Sequence, residues 1–254
     1  MWLLMIFIFI FGLIVGSFLN CLIYRLETGQ RMTKRSFCPH CKHKLSWQDL
    51  IPLLSFLLLK GKCRYCKKRI SLQYPLVEAS TGILFSAVFW HFNFNLSLDF
   101  AFWIFISCVL VLIFVYDIKH YIIPDKVIYP AIAFTFLYKL FSNFHFLIYN
   151  SLLSALFAFL FFLTIILVSR GKWMGFGDAK MAFFMGLLLG FPKILISLFF
   201  AFFIGGIIGI ILLLSKKKKL KSEVPFGPFL TVGTFIAMFF GENLLNCYLK
   251  FLGY

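Results

Sequence analysis

The sequence predicts an all-α polytopic membrane protein, and composition, hydropathy and charge placement each support this fold class. The chain has 254 residues, of which 62% are hydrophobic and 37 are Phe, and its mean hydropathy is +0.96. A soluble core of this size cannot bury so much apolar surface, so lipid must be the main solvent of the chain. Lysine and arginine cluster in a few short segments between apolar runs, which is the pattern of cytoplasmic loops.

Apolar runs separated by charged or Pro/Gly breaks predict about eight transmembrane helices. The first run, Trp2–Tyr24, lacks a basic start and a cleavage site, so we expect a retained span rather than a signal peptide. The predicted spans are 2–24, 76–92, 100–117, 121–141, 146–169, 179–191, 193–214 and 226–249. The weakest is 179–191, because so short a helix rises only about 20 Å against a hydrocarbon core of about 30 Å. An arrangement with seven spans therefore stays open.

The placement of the basic residues predicts the orientation. If the first helix starts outside, the cytoplasmic loops hold all but three of the 25 lysine and arginine residues, and these loops are 25–74, 117–126, 170–180 and 215–224. Topology and attraction to anionic lipid then explain the net charge of +16, and a nucleic-acid partner is not expected. Three parts follow: a first transmembrane helix at 1–24, a cytoplasmic loop domain at 25–75 and a membrane-embedded core at 76–254.

The loop domain contains two CxxC motifs, Cys38-Pro-His-Cys41 and Cys63-Arg-Tyr-Cys66. Two such pairs can surround one tetrahedral ion, and the thiols face the reducing side of the membrane. Four sulfur ligands leave no open position for a catalytic water, so we predict a structural zinc ion. The loop is too small to bury a full core, and a metal would compensate for this.

Other interpretations of these residues stay open. The four cysteines could be reduced and free of metal, and His40 or His43 could replace one of them as a ligand. The remaining cysteines lie in apolar runs, where cysteine commonly packs as a small hydrophobic residue, and they are Cys21, Cys108 and Cys247.

Two aspartates lie at the ends of apolar runs in a chain with only nine acidic residues. Asp117 closes one run, and Asp178 follows Gly175 and Gly177 and opens another. Carboxylates at the rim of a bilayer are costly and are functional more often than structural. The predicted topology brings both to the cytoplasmic face, and two carboxylates suffice for acid–base hydrolysis of a peptide bond.

A structural interpretation of the same residues is also open. Asp117 and Asp178 could be ordinary rim carboxylates paired with Lys119 and Lys180. Asp125 follows Pro124 and is more readily explained as the start of a helix, with an auxiliary role at most. Glu78, just inside the second predicted span, is unusual, and a partner on the basic loop is its simplest explanation.

Several motifs resemble one known family, and together they run nearly from end to end of the chain. The stretches that carry the resemblance are GSFLNCLIYRLE at 16–27, the two CxxC motifs with the segment between them, YPLVE at 74–78, YDIKHYIIPD at 116–125, GFGDAK at 175–180 and PFGPFL at 225–230. The chain resembles the type IV prepilin peptidases, bifunctional leader peptidase/N-methyltransferases of bacterial pilus and type II secretion systems.

The resemblance implies an intramembrane aspartic protease of the GxGD type, with Asp117 and Asp178 as its catalytic pair. Such an enzyme cuts type IV prepilins and pseudopilins after a glycine, at the cytoplasmic face of the bacterial inner membrane. It then methylates the new N-terminus, usually Phe, with S-adenosylmethionine. The resemblance places Gly61 and Lys62 at positions linked to methyl transfer, although the sequence contains no glycine-rich dinucleotide motif.

Three rival functions remain possible. A peptidase without methyl transfer would keep the aspartate pair alone. A non-enzymatic scaffold would use its zinc knuckles to bind a cytoplasmic partner. A transporter could use the carboxylates as a proton relay, but it would be expected to place acids near the middle of its spans, and this sequence does not. The sequence does not indicate an oligomeric state.

Overall fold

The computed structural model describes residues 2–31, 35–142, 147–215 and 224–251, and within these ranges the regular structure is helical. Most of the predicted loop 215–224, with its run of lysines, lies outside the described residues. The helices are α1 (Trp2–Thr28), α2 (Leu54–Leu58), α3 (Gln73–His91), α4 (Leu98–His120), α5 (Asp125–Ser142), α6 (Leu153–Ser169), α7 (Phe176–Leu189), α8 (Lys193–Leu214) and α9 (Gly227–Phe251). The predicted all-α fold is confirmed.

Within the described ranges, five helical segments are long and apolar enough to cross a membrane, fewer than the eight spans that we predicted. They are Trp2–Thr28, Leu98–His120, Tyr149–Ser169, Lys193–Leu214 and Gly227–Phe251. Helices α3, α5 and α7 do not qualify as membrane spans by length and hydropathy, each for a different reason. Helix α3 carries Gln73, Glu78 and several hydroxyl side chains, α5 carries Asp125, Lys126 and Lys139, and α7 has only 14 residues.

The chain divides into two compact units, residues 1–112 and 113–254, and the boundary falls within α4. In the first unit, α1 and α3 pack as an antiparallel pair with their backbones in close contact. A Cβ atom on Gly12 would lie 2.7 Å from the Cα of Gly82, and one on Gly16 would lie 2.8 Å from the Cα of Glu78. Small residues four apart allow this approach, as in other membrane helix pairs.

In the second unit, the short helix α7 is enclosed by other helices. Its side chains from Met181 to Leu188 are almost all buried, and Gly186 packs so closely on α6 that a Cβ atom there would lie 2.5 Å from the Cα of Ala155. A helix that is surrounded by protein does not need the length of a lipid-facing span. Its burial therefore explains why 14 residues suffice at this position.

Candidate active site and metal centre

Asp117 lies in the last turns of α4, and its carboxylate is held by a backbone amide from α9. The residue is 4% exposed, and its Oδ2 accepts a hydrogen bond of 3.0 Å from the N–H of Gly227. Gly227 is the first residue of α9, and a Cβ atom there would lie 2.5 Å from the same Oδ2. Glycine is therefore required for the start of α9 to approach this carboxylate so closely.

Asp178 lies in the first turn of α7 and is held in a similar way. Its Oδ2 accepts a hydrogen bond of 3.2 Å from the N–H of Gly175, the residue that precedes the helix. Asp178 and Asp117 lie in the same unit and within electrostatic range of each other. The structure thus brings together the two aspartates that the sequence singled out.

The second glycine of the GFGD motif shapes the contact between α7 and the α4–α5 loop. A Cβ atom on Gly177 would lie 3.3 Å from the Cβ of Ile123, which is tighter than ordinary van der Waals contact. Gly177 therefore lets the start of α7 lie against the loop that follows Asp117. The two glycines of the motif have separate roles, since the amide of Gly175 holds a carboxylate and the small size of Gly177 allows packing.

Lys180 pairs with Asp125 rather than with either member of the aspartate pair. Its Nζ lies 2.6 Å from Oδ1 of Asp125 and above the rings of Tyr129 and Phe176, at 4.9 and 5.4 Å from their centroids. The alternative in which Lys180 neutralises a rim carboxylate of the pair is therefore wrong.

Asp125 begins α5, as the structural interpretation of that residue predicted. Lys119 is exposed in the last turn of α4.

The sequence motifs did not single out Gly227 as a site residue, although it contacts Asp117 directly. PFGPFL served only as a point of resemblance. A local signal was nevertheless available, because Gly227 is followed by Pro228 at the start of an apolar run. Proline is favoured in the first turn of a helix, so the motif marks a helix start whose free amides can bind a carboxylate.

The four predicted cysteine ligands converge in the loop domain. All four sulfur atoms lie within 4.8 Å of one another, and the Sγ atoms of Cys38 and Cys66 are 3.9 Å apart. A tetrahedral zinc ion with Zn–S bonds of about 2.3 Å requires its sulfurs to be about 3.8 Å apart. The donor set and its spacing therefore fit a closed tetrahedral metal site.

His43 is not one of the four converging ligands. Its ring lies against that of Tyr65, with ring centroids 3.7 Å apart.

The two knuckles share one backbone pattern. In each, the amide of the first cysteine bonds to a carbonyl five residues later, at 3.0 Å for Cys38 and 2.8 Å for Cys63. Lys42 and Lys67 occupy equivalent left-handed positions, each with a φ of 58°. Burial opposes ionisation of Cys38, but hydrogen bonds from the N–H groups of Cys41 and His40 and from the thiols of Cys41 and Cys63 together lower the pKa of this thiol to about 7. The first knuckle thus favours the thiolate that a metal requires.

Asp49 links the 3₁₀ turn Trp47–Leu50 to the second knuckle. Its carboxylate accepts hydrogen bonds from Nε of Arg64 at 2.7 Å and from the hydroxyl of Tyr65 at 3.2 Å. Burial opposes ionisation, yet these bonds and those from Ser46 hold the pKa of Asp49 below its ordinary value. The segment between the knuckles is therefore attached to the second knuckle by a charged side chain.

Gly61 forms the turn from α2 into the second knuckle. Its φ is +67°, its amide donates to the carbonyl of Phe56 at 2.9 Å, and a Cβ atom would lie 3.1 Å from the ring of Phe56. Lys62 follows with an exposed side chain. These contacts explain why glycine is needed at position 61, whether or not it also contacts a cofactor.

Comparison with known proteins identifies the family. The family described as "Bacterial Peptidase A24 N-terminal domain" matches residues 10–92, and the "Type IV leader peptidase family" matches residues 104–210. Several similar curated proteins are named prepilin leader peptidase/N-methyltransferase. That of Legionella pneumophila is 33% identical over 98% of this chain and 96% of its own length, and that of Bacillus subtilis is 34% identical over 96% and 97%.

A relative from Pseudomonas aeruginosa with the same name is 30% identical over 96% of this chain and 92% of its own length. No solved structure shows significant similarity to the chain. Because the two family matches cover both units and the curated relatives align over nearly their full lengths, the chain belongs to the type IV leader peptidase family.

Proposed function

We propose that this protein removes the leader peptide from type IV prepilins and pseudopilins and then N-methylates the new N-terminus. The observation that carries the peptidase assignment is the juxtaposition of Asp117 and Asp178, each held by a glycine amide. The curated relatives, named for both activities, support the assignment of the second one. The membrane core at 76–254 would perform the cleavage, and the loop at 25–75 would serve methyl transfer.

In the proposed mechanism, one carboxyl group is protonated and the other is ionised. The ionised group takes a proton from water, whose oxygen attacks the scissile carbonyl, while the protonated group donates to the carbonyl oxygen. Collapse of the tetrahedral intermediate breaks the C–N bond, and a carboxyl group delivers a proton to the leaving amine. Gly227 and Gly175 would hold Oδ2 of each aspartate, so that Oδ1 of each can serve the reaction.

The position of the aspartates suits a substrate with a basic leader and an apolar helix. A basic leader remains in the cytoplasm and the helix remains in lipid, so the scissile bond lies at the membrane rim. Water reaches this level more cheaply than the bilayer centre. We therefore place the active site at the cytoplasmic face of the bacterial inner membrane.

We assign a structural zinc ion to Cys38, Cys41, Cys63 and Cys66. The four thiolates would fill its coordination shell, so the metal would hold the two knuckles together rather than activate water. Lysine and arginine side chains of the loop would offset the negative charge of this centre. Its role is thus to order the loop, which has little core of its own.

For methyl transfer, we assign Gly61 and Lys62 to the site of S-adenosylmethionine. The exposed ammonium of Lys62 suits the carboxylate of the donor's methionine part, and the lack of a side chain at Gly61 allows close approach. The donor supplies an electrophilic methyl group, and the new N-terminal amine must be deprotonated to accept it. The turn into the second knuckle would place these two residues beside the emerging N-terminus.

The test is to incubate the purified full-length protein with a prepilin and S-adenosylmethionine and to weigh the products. We expect loss of the leader and a gain of one methyl group on the mature chain. Asp117→Asn and Asp178→Asn should each lower the cleavage rate by at least about 10³-fold, because neither acid–base role can be replaced. Asp99→Asn, at the opposite end of α4, should cleave at nearly the wild-type rate.

Two outcomes would redirect the proposal. If neither the wild-type protein nor the variants matured the prepilin, the protein would be a scaffold rather than the protease. If the wild-type protein cleaved but added no methyl group even to a precleaved pilin, it would be a peptidase alone, and the contacts of Gly61 would be structural only.

A further inference from the structure

Helix α2 exposes a set of leucines on a loop that is otherwise strongly basic. Leu54, Leu57 and Leu58 are 57%, 68% and 81% exposed. In five residues, α2 therefore presents three large apolar side chains that the loop itself does not cover. A soluble domain rarely concentrates apolar surface in this way, so such a patch marks an interaction surface.

A hydrogen bond fixes the level of α2 relative to the membrane helices of the same unit. The N–H of Leu53, the residue before α2, donates to Oε2 of Glu78 at 2.9 Å. Glu78 is 7% exposed, and its backbone packs against Gly16 of α1, where a Cβ atom would lie 2.8 Å from the Cα of Glu78. The start of α2 is thus attached to a buried carboxylate in the interior of the α1–α3 pair.

That carboxylate lies below the rim of the apolar region. Glu78 is five residues into α3 and lies beside Gly16, eight residues before the end of the apolar run at Tyr24. At 1.5 Å per residue these separations correspond to about 8 Å along α3 and about 12 Å along α1. Amphipathic helices at membrane surfaces insert their apolar faces to about 5–10 Å. The start of α2 therefore lies at the depth of an interfacial helix.

The charges around α2 identify the partner. Exposed Lys60 and Lys62 follow the helix directly, and exposed Arg69 pairs with Lys62 in an isolated antiparallel β-bridge. On the preceding turn, Trp47 is 72% exposed, and tryptophan favours the level of lipid headgroups. The nearby acid, Asp49, is already engaged by Arg64. An apolar face bordered by cations fits acyl chains beneath anionic headgroups.

Helix α1 is also apolar and exposed at this level, on the side away from α3. Ile14 and Phe18, at the same level as Gly16, are 54% and 60% exposed on a helix long enough to span the membrane. The leucines of α2 thus lie at a level where α1 also exposes apolar side chains. We propose that α2 is a re-entrant interfacial helix that inserts Leu54, Leu57 and Leu58 into the cytoplasmic leaflet and thereby holds the zinc loop against the membrane.

The inference is tested with p-benzoylphenylalanine, a photocrosslinker, at single positions of the full-length protein in nanodiscs of phosphatidylcholine and phosphatidylglycerol. Leu57 carries the probe, Ile14 on α1 is the lipid-facing control, and Lys44, an exposed residue of the first knuckle, is the aqueous control. Irradiation followed by mass spectrometry of the intact protein identifies each adduct by its mass.

We expect the yield of phospholipid adducts at Leu57 to be within about twofold of the yield at Ile14 and at least tenfold above the yield at Lys44. Phosphatidylglycerol should be enriched at least twofold among the Leu57 adducts relative to its mole fraction, because of the neighbouring lysines. Leu54 and Leu58 provide the same test if the probe at Leu57 prevents folding. Protein crosslinks in place of lipid adducts would overturn the proposal, and so would a yield at all three leucines no higher than at Lys44.

Discussion

The aspartate pair and the cysteine centre are held in place by different kinds of interaction. Asp117 and Asp178 are fixed by backbone amides at helix starts, and glycines allow those helices to approach. The cysteine centre lies in a loop with two isolated β-bridges, and its thiols converge without a helix to support them. Precise helix packing therefore maintains the first site, whereas the second would depend on the metal ion that we assign to it.

This difference predicts which changes damage which site. Adding one carbon atom at a glycine should displace a carboxylate, while removing the metal should leave the helices in place. Conversely, the loop should tolerate small changes of shape that keep its four thiols. The two sites can therefore be separated experimentally, and the proposed peptidase and methyl-transfer activities should separate with them.

The largest effect is expected from Gly227→Ala. The new methyl group would lie 2.5 Å from Oδ2 of Asp117, so the carboxylate or the start of α9 must shift. Misplacement of a reacting group by about 1 Å costs about 100-fold in rate. We therefore expect cleavage to fall by about 100-fold while methylation of a precleaved pilin remains, both measured by mass spectrometry of the pilin.

Gly209→Ala is the matched control for this change. Gly209 lies within α8, and a Cβ atom there would meet no other atom within 4 Å. Alanine is also the better helix former, so this variant should cleave normally and be as stable as wild type or slightly more so. Equal cleavage rates for Gly227→Ala and Gly209→Ala would show that the contact with Asp117 does not matter for catalysis.

A smaller but selective effect is expected from Cys38→Ser. Loss of one of four thiolates should release the metal, because serine is a poor ligand for zinc. Metal analysis of the purified protein should show a loss of nearly one zinc per chain. Methylation should be abolished. The cleavage rate should stay within about threefold of wild type, a change in activation free energy no larger than that of one lost hydrogen bond. Cys247→Ser, at an exposed position on α9, should change neither metal content nor methylation. If cleavage fell as far as methylation, the two activities would not be separable.

The sequence indicated the residue types of both candidate sites better than the contacts that hold them in place. CxxC spacing identifies cysteine ligands because the motif itself brings two thiols together, and the thiols do converge. Asp117 and Asp178 stood out because acids are rare in so apolar a chain. Gly227 was missed because the local Gly-Pro pattern marks only a helix start, whereas the carboxylate that its amide binds belongs to Asp117, 110 residues away in sequence.

The number of spans was predicted less well for a related reason. Hydropathy assumes that each apolar run faces lipid, so α7 was read as a weak span. In the structure its apolar residues are buried by other helices, and its length reflects packing rather than the thickness of a bilayer. The partner of Lys180 was equally hidden, because Asp125 lies 55 residues from it. Contacts between distant segments are thus the part of the structure that the sequence patterns could not supply.

A moderate loss of stability is expected from Gly12→Ala. The added Cβ atom would lie 2.7 Å from the Cα of Gly82, and backbone atoms cannot move aside as a flexible side chain can. Overpacking of this kind costs about 1–3 kcal/mol. The unfolding transition in detergent should shift accordingly, whereas Gly206→Ala, where a Cβ atom has open space, should show no loss. An unchanged transition for Gly12→Ala would mean that α1 and α3 do not pack this closely.

The smallest effect is expected from Asp125→Asn. The change removes the charge that pairs with Lys180 at 2.6 Å, but the Asp125 side chain is 60% exposed, so water screens much of the interaction. Such pairs contribute about 0.2–1 kcal/mol, so cleavage should fall by no more than about fivefold. Because the contribution is electrostatic, the difference from wild type should shrink as salt is raised, which cleavage assays at two ionic strengths would measure. A loss as large as that of Asp178→Asn, independent of salt, would instead place Asp125 among the groups that act on the substrate.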